Sequence, residues 1–324
     1  MSRLFGRFGG ALIVLTFFLA AIPVPGLAAS PLNVGEANAI ADNIMPLAVG
    51  DQLGIFKKHG LDLQIIELGG GSKMAQAMVA GSIDIGLGAG TEMALIAKGA
   101  PVTAVCETSG PLSFFGVGVP WDSPIKSLSE LKGKAIGVSN IGTLTDWLAR
   151  EIAHKQGWGE NGVTVVALGG STAATVAAFR VHQVDAAMST TTVFLTLEQN
   201  KTGRLLAPVS SYEGNAASGI IEVSNHLIAT DPGAIRAFIA AWLETIDYVR
   251  AHKAETVKLE SAIGHFDEQI MAQEYDLTIG MFTKDCRFDA ESLATLKRSF
   301  VALKLLDSEP DMSKLYTEEF LPKR

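Results

Sequence analysis

The chain has 324 residues, of which 48% are hydrophobic and 19% are charged, so it is long enough for two lobes with cores of their own. The 34 acidic residues outnumber the 26 basic ones, which argues against a nucleic-acid-binding surface. The two cysteines, Cys106 and Cys286, have a spacing that fits no metal motif. An oxidising compartment permits a disulfide between them, and the sequence leaves that pairing open.

The first 29 residues predict a cleaved signal peptide. Arg3 and Arg7 precede the continuous apolar run "ALIVLTFFLAAIPV", and small residues follow as far as Ala29. The alternative is an N-terminal membrane anchor, but the run is short for a bilayer span of about 20 residues. Removal of residues 1–29 leaves 24 basic and 34 acidic residues and a net charge of −10. The pattern therefore predicts an exported protein.

From residue 32 onward, strand-like apolar runs alternate with helical patterns. The first group runs strand, helix, strand, helix, strand, helix and strand, in the segments "LNVGEA", "MPLAVGDQLGIFKKHG", "LDLQIIEL", "KMAQAMVAG", "IDIGLG", "TEMALIAKG" and "VTAVCET". Such alternation is typical of a mostly parallel sheet with helices on both faces.

The same pattern begins again about one hundred residues later. Three predicted strands, "KAIGVS", "VTVVAL" and "VDAAMS", are separated by the helical patterns "TLTDWLAREIAHKQG" and "TAATVAAFRVHQ". The two copies share "LGG", at 68–70 and 168–170, and an aspartate, at Asp84 and Asp185. A chance match of two α/β rhythms is the alternative, but two similar lobes explain the shared positions better.

Two connecting segments predict how the lobes are joined. "FFGVGVPWDSPIKSLSELKGK" predicts a strand, a turn and a short helix that lead into the second lobe, and "ASGIIEVSNHL" predicts a strand that leads back. We therefore predict lobe one from residues 30–117 and 218–324, and lobe two from residues 118–217, joined by two crossing strands.

A long helix is predicted after the second crossing strand, with Asp231 as its cap and Pro232 in its first turn. An apolar stripe at helical spacing predicts the face of this helix that packs in the core. Its members are Ile235, Phe238, Ile239, Trp242, Ile246 and Val249.

A cleft between two such lobes is the predicted ligand site, because ligands bind open α/β sheets at the carboxyl ends of the strands. Helix N-termini there offer unpaired N–H groups, glycine allows close approach, and hydroxyl and amide side chains add hydrogen bonds. The predicted ligand-binding residues are Asn38, Asn43, Gly90, Thr91, Ser139, Asn140, Gly142, Thr143, Ser189, Thr190 and Thr191. For each, a helix cap or turn is the alternative. We expect Thr91, Thr143 and Thr190 to converge on one ligand.

The charge of the ligand stays open at this stage. Glu36, Asp42 and Glu92 lie near the predicted site and favour a cationic or amine-bearing ligand, whereas helix N-termini favour an anion. Phe114 and Phe115 offer apolar surface, and at least one of them is expected in the core.

Catalytic signals are weak. The S-x-x-K match that begins at Ser123 lies in a predicted connecting turn and lacks its companion motifs. The six histidines are scattered along the chain. We therefore predict a protein that is not an enzyme and that has no catalytic residues, metal or cofactor.

Five segments, taken in order, carry a resemblance to a known family. They are "PLAVGDQLGIFKKHGLDLQII", "AMVAGSIDIGLGA", "IKSLSELKGKAIGVS", "FRVHQVDAAMS" and "LYTEEFL". With them the chain resembles the periplasmic solute-binding proteins of ABC importers, in the nitrate/sulfonate/taurine and thiamine-precursor group. The resemblance implies a type II periplasmic binding protein that closes on a small organic or oxyanionic ligand. It also implies a periplasmic monomer that delivers this ligand to an ABC permease in the inner membrane.

Two alternatives share the implied fold. One is a periplasmic sensor or adaptor for a membrane receptor. The other is a pyrimidine-precursor-synthesising enzyme, but that branch of the family uses a cysteine-rich motif that this chain lacks. The segment "STTTVF" also lacks the aromatic residue that sulfonate-binding relatives often carry there, which argues against sulfonate specificity.

Overall fold

Two five-stranded sheets form the framework of the chain in a computed structural model that describes residues 31–37, 43–112 and 114–323. The predicted signal peptide, Asn38 and Asp42 lie outside these residues. The described strands, in chain order, are β1 (Leu32–Glu36), β2 (Leu63–Glu67), β3 (Ile85–Gly88), β4 (Val102–Ser109), β5 (Phe115–Pro120), β6 (Ala135–Val138), β7 (Thr164–Ala167), β8 (Ala186–Thr190), β9 (Gly203–Pro208) and β10 (Gly219–Ser224).

The two sheets have the same plan. The first has the strand order β2-β1-β3-β10-β4 and the second the order β7-β6-β8-β5-β9. In each, the first three strands are parallel, and the fourth (β10 or β5) is antiparallel to both of its neighbours. The prediction of a two-lobed α/β fold with mostly parallel sheets is therefore confirmed.

The described helices pack on both sheets. They are α1 (Pro46–Gln52), α2 (Ile55–Lys58), α3 (Gly71–Val79), α4 (Met93–Ala97), α5 (Leu144–Lys155), α6 (Thr172–Arg180), α7 (Thr191–Gln199), α8 (Asn225–Thr230), α9 (Pro232–Ala251), α10 (Lys253–Gly264), α11 (Glu268–Thr278) and α12 (Ala290–Ala302). One predicted helix is broken into α1 and α2, because Gly54 between them has a left-handed backbone, with φ of 70°.

Matching hydrogen bonds in the two sheets support the internal repeat. Asp84 accepts a bond from the backbone N–H of Asn33 through Oδ2, at 3.0 Å, and Asp185 accepts one from Ala135 in the same way, at 2.9 Å. In both cases the aspartate N–H also bonds back to the carbonyl of the same partner, at 2.9 Å. The shared aspartate therefore fixes the same strand pair in each sheet.

The chain passes between the sheets twice. After β4 it enters the second sheet with β5, and after β9 it returns to the first with β10. The predicted crossing strands thus become the antiparallel strand of the sheet that each one joins. The whole of β5 belongs to the second sheet.

The core of the first sheet is completed by α9 and a disulfide. Every member of the predicted apolar stripe on α9 is buried, and Asp231 caps the helix by accepting from the N–H of Ala234 at 2.9 Å. Cys106 on β4 and Cys286, which lies just before α12, form a fully buried disulfide across 180 residues of sequence.

Candidate ligand-binding site

A cavity of about 90 Å³ lies where the two sheets face each other. Its wall includes residues at or just after the carboxyl ends of all six parallel strands in the described chain. They are Ala37, Gly70, Ala89, Ser139, Leu168 and Ser189. Since the carboxyl ends of parallel strands are where open α/β sheets bind ligands, the cavity occupies the position that the fold favours.

A cluster of three hydroxyl groups forms one wall of the cavity, at the start of α5. The Ser139 Oγ lies 3.1 Å from Thr143 Oγ1 and 2.8 Å from Thr145 Oγ1. Thr143 also donates to the carbonyl of Asn140 at 2.7 Å. These bonds fix the rotamers of three side chains that line the cavity, so the hydroxyl groups are held in place before a ligand arrives.

The end of β8 supplies the neighbouring wall. Ser189 and Thr190 line the cavity, and Thr190 is the N-cap of α7, although its side chain makes no capping hydrogen bond. Thr191 points elsewhere, because its hydroxyl donates to the carboxylate of Glu274 at 2.9 Å. Of the residues predicted in this segment, two therefore lie on the cavity and the third binds α11.

One other predicted residue, Asn140, acts across the cleft. The Asn140 amide donates to the carbonyl of Gly69 at 2.9 Å, which joins the loop after β6 to the loop after β2. Ser72 donates to the carbonyl of Ile141 at 3.2 Å and reinforces the same contact. Gly142 is not in the cavity wall, and its N–H bonds the carboxylate of Asp146 at 2.8 Å. The loop thus holds the two sides of the cavity together.

Asn43 lines the cavity and is anchored, because its amide donates to the carbonyl of Ser218 in the returning segment. Asn38 lies outside the described residues. Phe115 lines the cavity, whereas Phe114 is fully buried, as expected for at least one of the pair.

The structure places Gly90 and Thr91 away from the cavity. An added Cβ on Gly90 would lie 2.9 Å from Leu296, so this residue packs against α12. Thr91 is buried and lines a neighbouring recess of about 180 Å³. When the two copies are aligned on Asp84 and Asp185, Thr91 matches Thr192 and Ala89 matches Thr190. Thr192 is also absent from the cavity wall. Of the three threonines expected to converge, Thr143 and Thr190 share the cavity and Thr91 does not.

Glu92 is the only ionisable side chain among the described residues that line the cavity. It is 7% exposed, and its Oε2 has no hydrogen-bond partner among the described residues. Burial raises the pKa of this carboxyl, and backbone N–H groups at Ala89, Gly90 and Glu92 itself act in the opposite direction. Burial, together with the nearby charge of Glu92, raises the pKa of Glu222 on β10 well above its ordinary value.

Two glycines make room for the Glu92 carboxyl. A Cβ on Gly71, at the start of α3, would lie 1.6 Å from Oε1, and a Cβ on Gly88 would lie 3.1 Å from Oε2. Sequence reasoning did not select Gly70 or Gly71 as site residues, although the repeated "LGG" and the run of three glycines at 69–71 mark this turn.

Gly71→Ala is expected to lower the unfolding free energy by about 1–3 kcal/mol, because the new methyl group must displace the Glu92 carboxyl from its packed position. Chemical denaturation measures this change. Gly280→Ala is the matched control, since a Cβ there has no atom within 4 Å. Equal stability of both variants and the parent would contradict the packing described for Glu92.

Other features of the described residues are less suited to a site. A depression of about 740 Å³ lies between α5 and α12, and an exposed ion pair of Lys304 and Glu160, at 2.9 Å, joins two of its lining residues. Residues 31–37, 43–112 and 114–323 contain no group of three or more His, Cys, Asp or Glu side chains placed to hold a metal ion. No helix within the same ranges has the length and apolar character needed to cross a bilayer.

Two similar α/β lobes with a cavity at the carboxyl ends of their strands define the fold of the two-lobed periplasmic binding proteins. The family model described as "NMT1/THI5 like" matches residues 41–256, and the chain belongs to this family. A protein of Brucella abortus named "Putative binding protein" is 28% identical over 267 residues, which cover 81% of both chains.

Solved structures of several activities share the fold. The alkanesulfonate-binding protein SsuA from Xanthomonas axonopodis pv. citri, bound to MOPS, has a TM-score of 0.77 at 18% identity, covering 89% of this chain and 98% of that one. The desulfurization enzyme DSZB, in a complex with biphenyl-2-sulfinic acid, has a TM-score of 0.68 at 17% identity, covering 89% of this chain and 97% of that one. The fold therefore accommodates both binding and catalysis, and the residues of the cavity must distinguish them.

Proposed function

We propose that the chain is the solute-binding component of an ABC importer. In this proposal residues 1–29 direct export and are removed, and the mature protein is a periplasmic monomer. The first sheet and its helices form lobe one, and the second sheet forms lobe two. A small molecule binds in the cavity between them and is delivered to a membrane permease.

The observation that carries this proposal is the way the cavity is built from both sheets at once. Hydroxyl groups at the starts of α5 and α7 face it from the second sheet, and Gly71 and Glu92 face it from the first. The Asn140–Gly69 and Ser72–Ile141 hydrogen bonds close one side of it. A ligand that touches both walls favours the closed arrangement by its differential contacts, which is how a binding protein signals that it is loaded.

The cavity wall favours binding over catalysis. The described lining residues include no Cys, His, Lys or Arg, so they lack the side chains that most often serve as a nucleophile or activate one. Most of the wall is apolar or glycine, with a few hydroxyl groups, which is the usual composition of a site that orients a small ligand. We therefore favour a binding protein over an enzyme of the same fold.

The test is a thermal-shift screen of the chain from residue 30 onward against a library of small metabolites, followed by calorimetry on each stabilising compound. Ligand at a hundredfold excess over its Kd stabilises the native state by about 2.7 kcal/mol. Thr143→Val and Thr190→Val keep the shape of the wall and remove one hydroxyl. We expect each variant to bind about twofold to tenfold more weakly than the parent.

Thr202→Val is the control, because this residue lies in the turn after α7 and is absent from the cavity wall. Unchanged affinity in both cavity variants would place the ligand elsewhere. A ligand that binds in the cavity without any loss of uptake when the gene is deleted would favour the sensor or adaptor alternative.

A further inference from the structure

We infer that the ligand carries a positively charged or strongly hydrogen-bond-donating nitrogen group, such as an amine or an amidine, and that Glu92 is the residue that binds it. This inference rests on the proposed function, because it names the ligand class of the same cavity.

Glu92 is built into the wall and is not a surface side chain that happens to reach it. The residue is 93% buried, its carboxyl group fills the space that Gly71 and Gly88 leave open, and it forms part of both the cavity and the neighbouring recess. Backbone N–H groups at Ala89, Gly90 and Glu92 favour the ionised carboxyl, but Oε2 itself has no hydrogen-bond partner among the described residues, so the buried charge is only partly compensated. A cationic group bound in the cavity would offset the cost of this buried charge.

The remainder of the described wall offers an anion little compensation. It has no cationic side chain, so a sulfonate or carboxylate would lose its water beside Glu92 without gaining a counter-charge. The N-terminus of α7 would favour an anion, since Thr190 makes no side-chain cap there. At the N-terminus of α5, Asp146 in the first turn already accepts the N–H of Gly142 at 2.8 Å. Arg150 in turn pairs with Asp146 at 2.7 Å.

The same geometry couples the binding of a cationic ligand to the release of a proton. Glu222 on β10 and Glu92 line one narrow void between α3 and α4, and each disfavours ionisation of the other. The other charged group that shares a recess with Glu92 is Lys98, just after α4. The residues of α3 that line the same spaces are uncharged, as is Gly88 on β3; those of α3 are Gly71, Ser72, Ala75, Gln76, Met78 and Val79. A cation that binds here favours the ionised carboxylate and releases a proton. Its affinity should therefore fall as the pH falls through the raised pKa of Glu92.

The experiment uses matched compounds that differ only in their polar group. Propyl, cyclohexylmethyl and benzyl groups are each offered as the amine, the alcohol and the sulfonate, and Kd is measured by calorimetry at pH 7.5 and at pH 5.5. The inference expects at least one series in which the amine binds about tenfold or more tightly than both the alcohol and the sulfonate. It also expects that preference to weaken at the lower pH.

Three variants then assign the effect. Glu92→Gln keeps the shape and should abolish the preference for the amine. Glu222→Gln removes the neighbouring acid. In this variant the preference for the amine should remain, and it should persist to lower pH than in the parent. Glu107→Gln, on β4 of the same sheet, alters a buried carboxyl outside the cavity wall and should bind each compound with the affinity of the parent.

Binding of the sulfonate or the alcohol as tightly as the amine in every series that binds would overturn the inference and leave the proposed function intact. An amine preference that persists in Glu92→Gln would also overturn it. Binding of no compound from this panel or from the metabolite library would count against the proposed function itself.

Discussion

Loss of the disulfide between Cys106 and Cys286 is expected to lower the unfolding free energy by about 5 kcal/mol. The bond closes a loop of 180 residues, and constraint of so long a loop removes much of the entropy of the unfolded chain. It also ties the segment before α12 to β4 inside the first sheet, where both cysteines are fully buried. The measurement is urea unfolding of the oxidised parent beside that of the Cys106→Ala/Cys286→Ala double variant.

A reductant supplies the control for this comparison. The parent, equilibrated through unfolding with a phosphine reductant, should lose most of the same free energy, whereas the double variant should not respond. Equal stability of the oxidised parent and the double variant would show that loop closure contributes nothing to this fold.

Raising the pH from 4 to 8 is expected to lower the unfolding free energy by about 3 kcal/mol for each of two buried carboxyl groups. Burial raises the pKa of Glu36 to about 7, and the neighbouring Glu67 adds to the effect. Burial also raises the pKa of Glu107 to about 7, although hydrogen bonds from Asp289 and Ser292 act to lower it. Between the ordinary value of 4.5 and about 7, the folded chain holds protons that the unfolded chain has released. The stability from these groups is thus complete below pH 4.5 and is lost as the pH rises through 7.

Glu36→Gln and Glu107→Gln test this prediction, because glutamine stays neutral at every pH. Each should flatten the fall in unfolding free energy between pH 4 and pH 8 by about 3 kcal/mol, measured by denaturant titration at several pH values. Glu291→Gln changes an exposed carboxyl on α12 and should leave the slope as it is in the parent. A parent whose stability is the same at both ends of the range, with slopes unchanged in the two variants, would contradict the assignment.

The architecture could be predicted from the sequence because its signals are local and repeated. Alternating apolar runs gave the strands and helices, and the recurrence of Asp84 as Asp185 indicated two copies of one unit. In the structure both aspartates hold the same strand pair. The edge of the sheet where the cavity lies follows from this topology, so Ser139, Thr143 and Thr190 could be expected near one another.

The parts of the site that sequence reasoning missed depend on packing between distant segments. Glu92 was expected near the site from its position in the sequence, but the turn after β3 directs Thr91 into a recess, because the helix that follows begins only at Met93. The need for glycine at position 71 becomes visible only when the Glu92 carboxyl occupies the space of its missing side chain. The disulfide could not be assigned either, since nothing local reports that two segments 180 residues apart meet.

The chain crosses between the two sheets twice, and this determines which sheet is completed first during synthesis. All five strands of the second sheet lie between residues 115 and 208, so that sheet is complete as soon as this stretch has emerged. The first sheet begins at residue 32 but lacks the strand between β3 and β4 until residues 219–224 arrive. Until then β3 and β4 have unpaired edges, which are the surfaces through which strands of different molecules associate. The sheet that is begun first is therefore the one that is finished last, and we expect nascent chains that stall before residue 219 to aggregate more readily than chains that stall after β10 is complete.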